Sequence, residues 1–159
     1  MSTLAELEMR LARIEDERAI ERLIASYGPL VDAGEADATA ALWAADGTYD
    51  VEGWHMGSRD DVAAMVRSDA HRGLIRRGCC HFLGPAVVTV DGDEAVAVCE
   101  SVLLVRRDDG YVAARAGANH FRLCRADGRW EITARTTRAL DGSAEPLTLL
   151  SSGVAGALP

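Results

Sequence analysis

Asp32 and His81 are the two residues of this sequence whose types could together move protons. Asp32 follows the first long helical pattern, and His81 lies where the chain becomes strand-like. A carboxylate can orient an imidazole and stabilise its protonated form, and an imidazole can take and give a proton near neutral pH without a metal or cofactor. If the fold brings the two together in an apolar cavity, they predict acid/base catalysis. Taken separately, Asp32 is typical of a turn and His81 of a half-buried strand.

Four further residues are candidates for substrate binding: Tyr27, Tyr49, Asn119 and Arg138. Each tyrosine is either a hydroxyl aimed at a substrate oxygen or an aromatic core residue with a polar tip. Asn119 shares a predicted strand face with small residues, and its amide would pair with a substrate or across the sheet. Arg138, predicted on the same strand face as Trp130, would neutralise an anion or enolate if it points inward, or pair with a neighbour if it does not.

The other histidines are predicted to lie elsewhere. His55 and His71 are typical of surface or turn positions, and His120 alternates away from Asn119, toward the helices or an interface. Glu100 is a charge within a largely apolar strand, which fits either a second acid in the pocket or an interface pair.

The composition limits the classes of function. The 159 residues fit one domain with a substantial core, and the net charge of -8 argues against binding nucleic acid. No apolar run reaches the roughly 20 residues of a membrane span, and the first residues lack a secretion signal, so a cytoplasmic location is expected. All 17 basic residues are arginines, which excludes lysine-based Schiff-base chemistry and a phosphate-loop lysine.

The four cysteines favour no metal site. Cys79, Cys80, Cys99 and Cys124 show no metal-ligand spacing, and reduced, buried thiols are expected. The sequence therefore predicts neither a metal nor another cofactor.

The pattern along the chain is helical first and strand-like later. Apolar residues at three-to-four spacing predict a long N-terminal helix, followed by a short helix over 37–44 and a short strand over 48–51. Ser58 and Asp61 form a capping-box signature for a helix through about Ala70. Four strand-like runs separated by Asp-Gly turns then predict a meander: 79–90, 95–106, 111–125 and 129–140.

This order predicts an α+β domain over residues 1–140, with helices packed on one face of a curved antiparallel sheet. The tail, residues 141–159, is expected to be flexible or to cover the pocket. Because the strands carry apolar residues on both faces, a homodimer or higher homo-oligomer through the sheet is expected.

The order of elements resembles the cone-shaped nuclear transport factor 2-like fold, a cystatin-like α+β barrel with N-terminal helices on the concave face of the sheet. Within that superfamily the sequence is similar to the SnoaL-like and scytalone dehydratase-like branch, over about residues 5–140. The matching segments are Tyr27 to Asp32, Trp43 to Tyr49, His81 to Gly84, Ala118 to Phe121, and Asp127 to Trp130.

The resemblance implies roles for individual residues. Asp32 would support His81 as the general base or acid, Asn119 would lie in the pocket, and an arginine near position 138 would belong to the site. The branch carries a second histidine on the strand that here reads Cys99-Glu100-Ser101. That difference argues against scytalone itself as the substrate.

Together these features predict a cofactor-independent lyase or isomerase of the dehydratase or cyclase type, acting on a hydrophobic, oxygenated small molecule. Dehalogenation by the same pair is a less favoured chemistry. The alternative is a non-catalytic small-molecule-binding or assembly module with the same cone. A pocket filled by side chains, or Asp32 paired with an arginine, would mark that alternative.

Overall fold

The computed structural model describes residues 3–159 of the chain. Helices dominate the first half and strands the second, as the sequence predicts. The elements are α1 (Leu4–Asp32), α2 (Ala36–Ala40), β1 (Trp43–Val51), β2 (Trp54–Met56), α3 (Arg59–Arg67), α4 (Asp69–Arg77), β3 (Cys79–Leu83), β4 (Val87–Asp91), β5 (Glu94–Arg107), β6 (Gly110–Ala126), β7 (Arg129–Ala139) and α5 (Ala144–Val154).

The strands form one seven-stranded sheet in the order β2-β1-β7-β6-β5-β3, with β4 also paired to β5. All neighbouring strands are antiparallel except β1 and β7, which are parallel. The predicted run 79–90 is two strands, β3 and β4, which pair end to end along β5. Gly84-Pro85-Ala86 separates them, because proline cannot donate to a strand ladder.

The helices before β3 pack on the concave face of this sheet, which confirms the predicted α+β cone. The largest buried side chains come from both layers. They include Ile20, Ile24 and Val31 of α1, Val62 and Val66 of α3, and Trp43, Phe121 and Ile132 of the sheet. None of the helices in the described part of the chain is long and apolar enough to cross a membrane.

Two β-bulges change which residues face inward. On β6, Arg115 pairs with Leu103 and Ala113 with Leu104, so Ala114 is an extra residue. On β7, Ile132 pairs with Leu123 and Ala134 with Arg122, so Thr133 is extra. An extra residue shifts the alternation of side chains by one position.

The tail does not follow its prediction. Residues 141–159, all of which the structure describes, form α5 and a short extension, which pack on the outer face of the sheet. Leu149 is buried there, and His120 contacts the Ala157 carbonyl oxygen at 2.9 Å. The helix forms because its apolar side covers an apolar strand surface. Since α5 occupies part of the surface expected to join two copies, the homo-oligomer stays a prediction.

Replacing Leu149 by Ala is expected to lower the free energy of unfolding by about 2–4 kcal/mol, because the side chain is only 2% exposed against the sheet. Leu147 on the same helix is 54% exposed, so Leu147→Ala is the matched control and should change stability by about 0.5 kcal/mol or less. Urea titration of the two variants tests this. Equal effects would contradict the described docking of α5.

Candidate active site

Asp32 and His81 meet in the folded chain. Asp32 is the last residue of α1, and His81 is the central residue of β3. The His81 Nδ1 atom lies 2.5 Å from Asp32 Oδ1, and the His81 backbone N–H donates to Asp32 Oδ2 at 2.7 Å. Because an ionised carboxylate only accepts hydrogen bonds, Nδ1 carries the proton. In the neutral ring, Nε2 is then the basic nitrogen.

Gly28 makes this meeting possible. It precedes Asp32 by four residues, so the two lie on the same side of α1. A Cβ atom at Gly28 would overlap the backbone carbonyl oxygen of His81. The missing side chain therefore lets α1 lie directly on β3, close enough for the carboxylate to reach the imidazole.

Cys79 completes the hydrogen bonding of Asp32. Its Sγ lies 3.4 Å from Asp32 Oδ1. Burial, reinforced by the charge of Asp32, raises the pKa of the Cys79 thiol to about 12. Cys79 therefore stays protonated and donates to the carboxylate, rather than acting as a nucleophile.

Asp32, Cys79 and His81 also bring three potential metal ligands within 4.8 Å of one another. A metal ion there would need the Cys79 thiolate, and it would displace the proton that His81 shares with Asp32. The donor set thus fits a hydrogen-bonded carboxylate better than a metal centre. The absence of a cofactor stays a prediction.

The pKa of Asp32 reflects two opposing effects. Burial raises it, but the hydrogen bonds from the His81 ring and backbone outweigh burial, and the net result is a pKa below the ordinary value of 3.8. A carboxyl with a lowered folded-state pKa stabilises the fold above its unfolded-state pKa, and that contribution is lost as the pH falls through the folded-state pKa.

Asp32→Asn is therefore expected to lower the free energy of unfolding by about 2 kcal/mol at pH 7, since it removes a charged acceptor. The difference between wild type and variant should shrink as the pH falls below about 3.8. Chemical denaturation at a series of acidic to neutral pH values measures it. A difference that is constant over this range would contradict a lowered pKa.

A cavity of about 540 Å³ lies beside the pair. Both polar and apolar side chains line it, so a guest would meet a few polar groups set in an apolar wall. The polar lining is Tyr27, Tyr49, Glu52, His71, His81, Ser101, Arg115 and Arg135, and the apolar lining is Val51, Trp54, Met56, Met65, Leu83, Val102, Leu103 and Ala114.

Arg135 is the most buried of the arginine and glutamate residues that line the cavity, with 3% of its surface exposed. Its Nη2 donates to Asn119 Oδ1 at 2.8 Å, and its guanidinium carbon lies 4.1 Å from the Tyr27 ring centre and 4.5 Å from that of Tyr49. These contacts hold the group by cation–π attraction. Its Nη1 is buried without a hydrogen-bond partner among residues 3–159, and a ligand oxygen would satisfy it.

Tyr27 and Tyr49 both line the cavity and are also buried in the core, and their role as donors to a substrate stays a prediction. Burial, followed by the neighbouring Tyr49, raises the pKa of Tyr27 well above its ordinary value, against the opposing effect of Arg135. The Tyr27 phenol therefore stays protonated at neutral pH and can donate a hydrogen bond.

Asn119 does not line the cavity. It is fully buried, its Nδ2 donates to Ser101 Oγ at 2.9 Å, and its Oδ1 accepts from Arg135 and from Thr137 Oγ1. The amide is therefore satisfied within the protein and orients Arg135.

The placement of Arg138 in the pocket was wrong. Its guanidinium pairs with Asp50 at 2.8 Å and with Glu145 of α5 at 2.7 Å, on the outer side of the sheet. The alternation from Trp130 predicted the opposite face. The bulge at Thr133 shifts that alternation, so Arg135 points inward in its place.

The comparisons with known proteins agree with this fold. A family model described as the SnoaL-like domain matches residues 12–136. The chain belongs to the SnoaL-like family. This family includes polyketide cyclases and dehydratases. None of the curated proteins matches the sequence.

The SnoaL-like chain also has solved structural neighbours. An NTF2-like protein with a cystatin-like fold from Novosphingobium aromaticivorans is 42% identical, with a TM-score of 0.92 over 94% of this chain and 98% of that one. A variant of a Mycobacterium tuberculosis protein of unknown function is 23% identical, with a TM-score of 0.70 over 99% and 94%. A candidate scytalone dehydratase from N. aromaticivorans is 20% identical, with a TM-score of 0.68 over 80% and 85%. The last two show the shared fold.

Sequence reasoning missed His71 as well as Arg135 in this SnoaL-like protein. His71 is 8% exposed and lines the cavity. Its Nε2 lies 2.9 Å from the Val31 carbonyl oxygen, and its ring centre lies 5.8 Å from that of His81. The sequence signal that could have placed His71 is Ser68, which ends α3 and caps a separate helix, α4. The sequence analysis instead predicted one helix through Ala70. Glu100, by contrast, is exposed and lies outside the cavity.

Proposed function

We propose that this SnoaL-like protein is a cofactor-independent acid/base lyase or isomerase that acts on a hydrophobic, oxygenated small molecule. One observation carries the proposal: the hydrogen bond of 2.5 Å between Asp32 and His81 on the wall of a cavity of about 540 Å³. A base with a fixed tautomer beside a sheltered cavity is what proton abstraction next to a carbonyl requires.

The roles follow from the donors. His81 Nε2 takes a proton from the carbon next to a substrate carbonyl, and the electron pair moves onto the carbonyl oxygen to form an enolate. Asp32 stabilises the resulting imidazolium. The imidazolium then returns the proton to a leaving hydroxyl, which departs as water, or to another carbon. Such assistance typically contributes about a hundred- to ten-thousand-fold in rate.

The enolate oxygen would be stabilised by Tyr27, Tyr49 and Arg135. The enolate oxygen is negative, and the buried guanidinium has a free Nη1 beside two phenols. Fixed donors in apolar surroundings stabilise a developing oxyanion strongly. Dehydration, double-bond migration and aldol cyclisation all pass through this enolate.

Two features favour this function over that of a non-catalytic module. The cavity is open rather than filled by side chains, and Asp32 is bonded to His81 rather than to an arginine. Both marks expected of a binding or assembly module are therefore missing from residues 3–159.

Exchange of carbon-bound hydrogen tests the proposal without a known substrate. A panel of cyclic ketones and β-hydroxy ketones is incubated with the protein in D₂O, and loss of the α-proton signal or formation of an enone is followed by NMR. The wild type should process at least one class, and His81→Gln should lose that activity. Exchange that is equal in wild type and His81→Gln would overturn the proposal.

A further inference from the structure

Five of the chain's arginines are not exposed, and they divide into two groups. Three are paired with carboxylates: Arg59 with Glu131, Arg125 with Asp16 and Asp93, and Arg138 with Asp50 and Glu145. The other two, Arg115 and Arg135, have no carboxylate within 4 Å among residues 3–159. Both of these line the same cavity.

Arg115 reaches the cavity through the bulge on β6. Ala114 is the extra residue of that bulge, and Ala114 and Arg115 both line the cavity. Bulges next to binding sites re-aim side chains in this way. Arg115 is half-buried, so its charge is only partly hydrated and gains more from a partner than a surface charge would.

Neither of the two nearby acids forms an ion pair with Arg115 among residues 3–159. Asp32, beside the cavity, accepts hydrogen bonds from His81 and Cys79. Glu52, which lines the cavity, accepts from the Ala139 backbone N–H and has no arginine within 4 Å. A cation that is partly removed from water and has no protein partner lowers the stability of the fold, unless a bound ligand supplies hydrogen bonds and opposite charge.

We infer that the substrate carries an anionic oxygen group, a carboxylate or a phosphate ester, which Arg115 binds while Arg135 faces the reacting oxygen. The inference rests on the proposed use of the cavity as a substrate site and narrows the substrate to a hydrophobic acid. Arg115 is then the residue that selects an acid over a neutral molecule of the same shape, because the planar guanidinium binds such groups through two parallel hydrogen bonds.

Binding of matched aromatic probes tests this without turnover. 2-Naphthoate and methyl 2-naphthoate differ in charge but share a ring system, and 2-naphthyl phosphate distinguishes phosphate from carboxylate. Dissociation constants are measured by NMR titration with wild type, Arg115→Gln, Arg115→Lys and Arg122→Gln. Arg122 is exposed, lies on the same strand and does not line the cavity, so Arg122→Gln is matched for the change in net charge.

The wild type should bind at least one of the two anions more tightly than the ester. Arg115→Gln should raise the dissociation constant of that anion about tenfold or more and leave that of the ester unchanged. Arg115→Lys should retain part of the affinity for the anion. Arg122→Gln should bind as wild type does. A preference of the wild type for the ester, binding of none of the three probes, or an equal loss in Arg115→Gln and Arg122→Gln would overturn the inference.

This outcome is separable from that of the proposed function. His81→Gln should still prefer the anion, because the preference depends on Arg115 and not on the moving proton. If His81→Gln loses turnover but still binds the anion, the result bears on the catalytic proposal alone. If the wild type turns over substrate but shows no preference for anions that depends on Arg115, only the inferred anionic group of the substrate is contradicted.

Discussion

Asp32→Asn should lower kcat/KM for the ketone reaction by about a hundred- to ten-thousand-fold. The carboxylate holds the proton on His81 Nδ1, which leaves Nε2 free as the base. An asparagine that presents its amide N–H to Nδ1 would favour the other tautomer, in which Nε2 carries the proton and cannot accept one. The loss should therefore appear mainly in kcat, since Asp32 need not touch the substrate.

The conservative variant Asp32→Glu separates this role from simple structural support. A carboxylate at that position should restore part of the activity and keep a rate that falls toward low pH, as a general base requires. Asp32→Asn should lose this fall, and any residual rate should depend weakly on pH. Equal activity in Asp32→Asn and wild type would show that His81 needs no carboxylate. Equal loss in Asp32→Asn and Asp32→Glu would point to packing instead.

Gly28→Ala should have the largest effect of any single methyl group in the site. The added Cβ would overlap the His81 carbonyl oxygen, and a backbone atom cannot rotate away. Overpacking of this kind costs about 1–3 kcal/mol of stability. If α1 and β3 separate by about 1 Å to relieve the overlap, the activity should also fall about a hundredfold.

Gly73→Ala is the matched control for this variant. Gly73 is also a helical glycine, on α4, but a Cβ there would meet only the flexible end of Arg76, at 3.7 Å. Alanine should therefore raise stability by about 0.5–1 kcal/mol through its better helix propensity. Thermal unfolding with activity measurement compares the two. A Gly28→Ala variant as stable and active as wild type would contradict the close contact between α1 and β3.

The order of elements could be predicted because its signals are local. Helical periodicity and the Asp-Gly turns do not depend on distant residues. Asp127 and Gly128, for example, both adopt positive φ angles of 50° and 75°, as a tight hairpin turn between β6 and β7 requires. The position of His81 early in the strand-rich half followed from the same signals together with the family resemblance. Asp32 was expected in a loop just after the first helix, whereas α1 continues through Pro29 to Asp32.

The inward position of Arg135 could not be predicted, because a bulge is a property of two strands. Nothing in the sequence of β7 marks Thr133 as an extra residue, and strict alternation therefore placed Arg138 inward. The register with β6 turns Arg138 outward and Arg135 inward. His71 was missed for a related reason, since the break between α3 and α4 at Ser68 turns that histidine toward the cavity.

The tail shows the same limit. Residues 141–159 are rich in small residues, which favours no structure locally. They form α5 only where the outer face of the sheet is available to bury Leu149. Whether such a segment forms a helix depends on tertiary packing rather than on local helix propensity.

The tautomer of the His81 ring is the measurable consequence of its hydrogen bond to Asp32 on which the proposed catalysis depends. A two-bond ¹H–¹⁵N correlation spectrum of histidine-labelled protein distinguishes the two tautomers. The hydrogen bond from His81 to Asp32 predicts a proton on Nδ1 and a bare Nε2 in the neutral ring of the wild type, and loss of this preference in Asp32→Asn. A wild-type ring that carries its proton on Nε2, or that exchanges freely between the two forms, would contradict it.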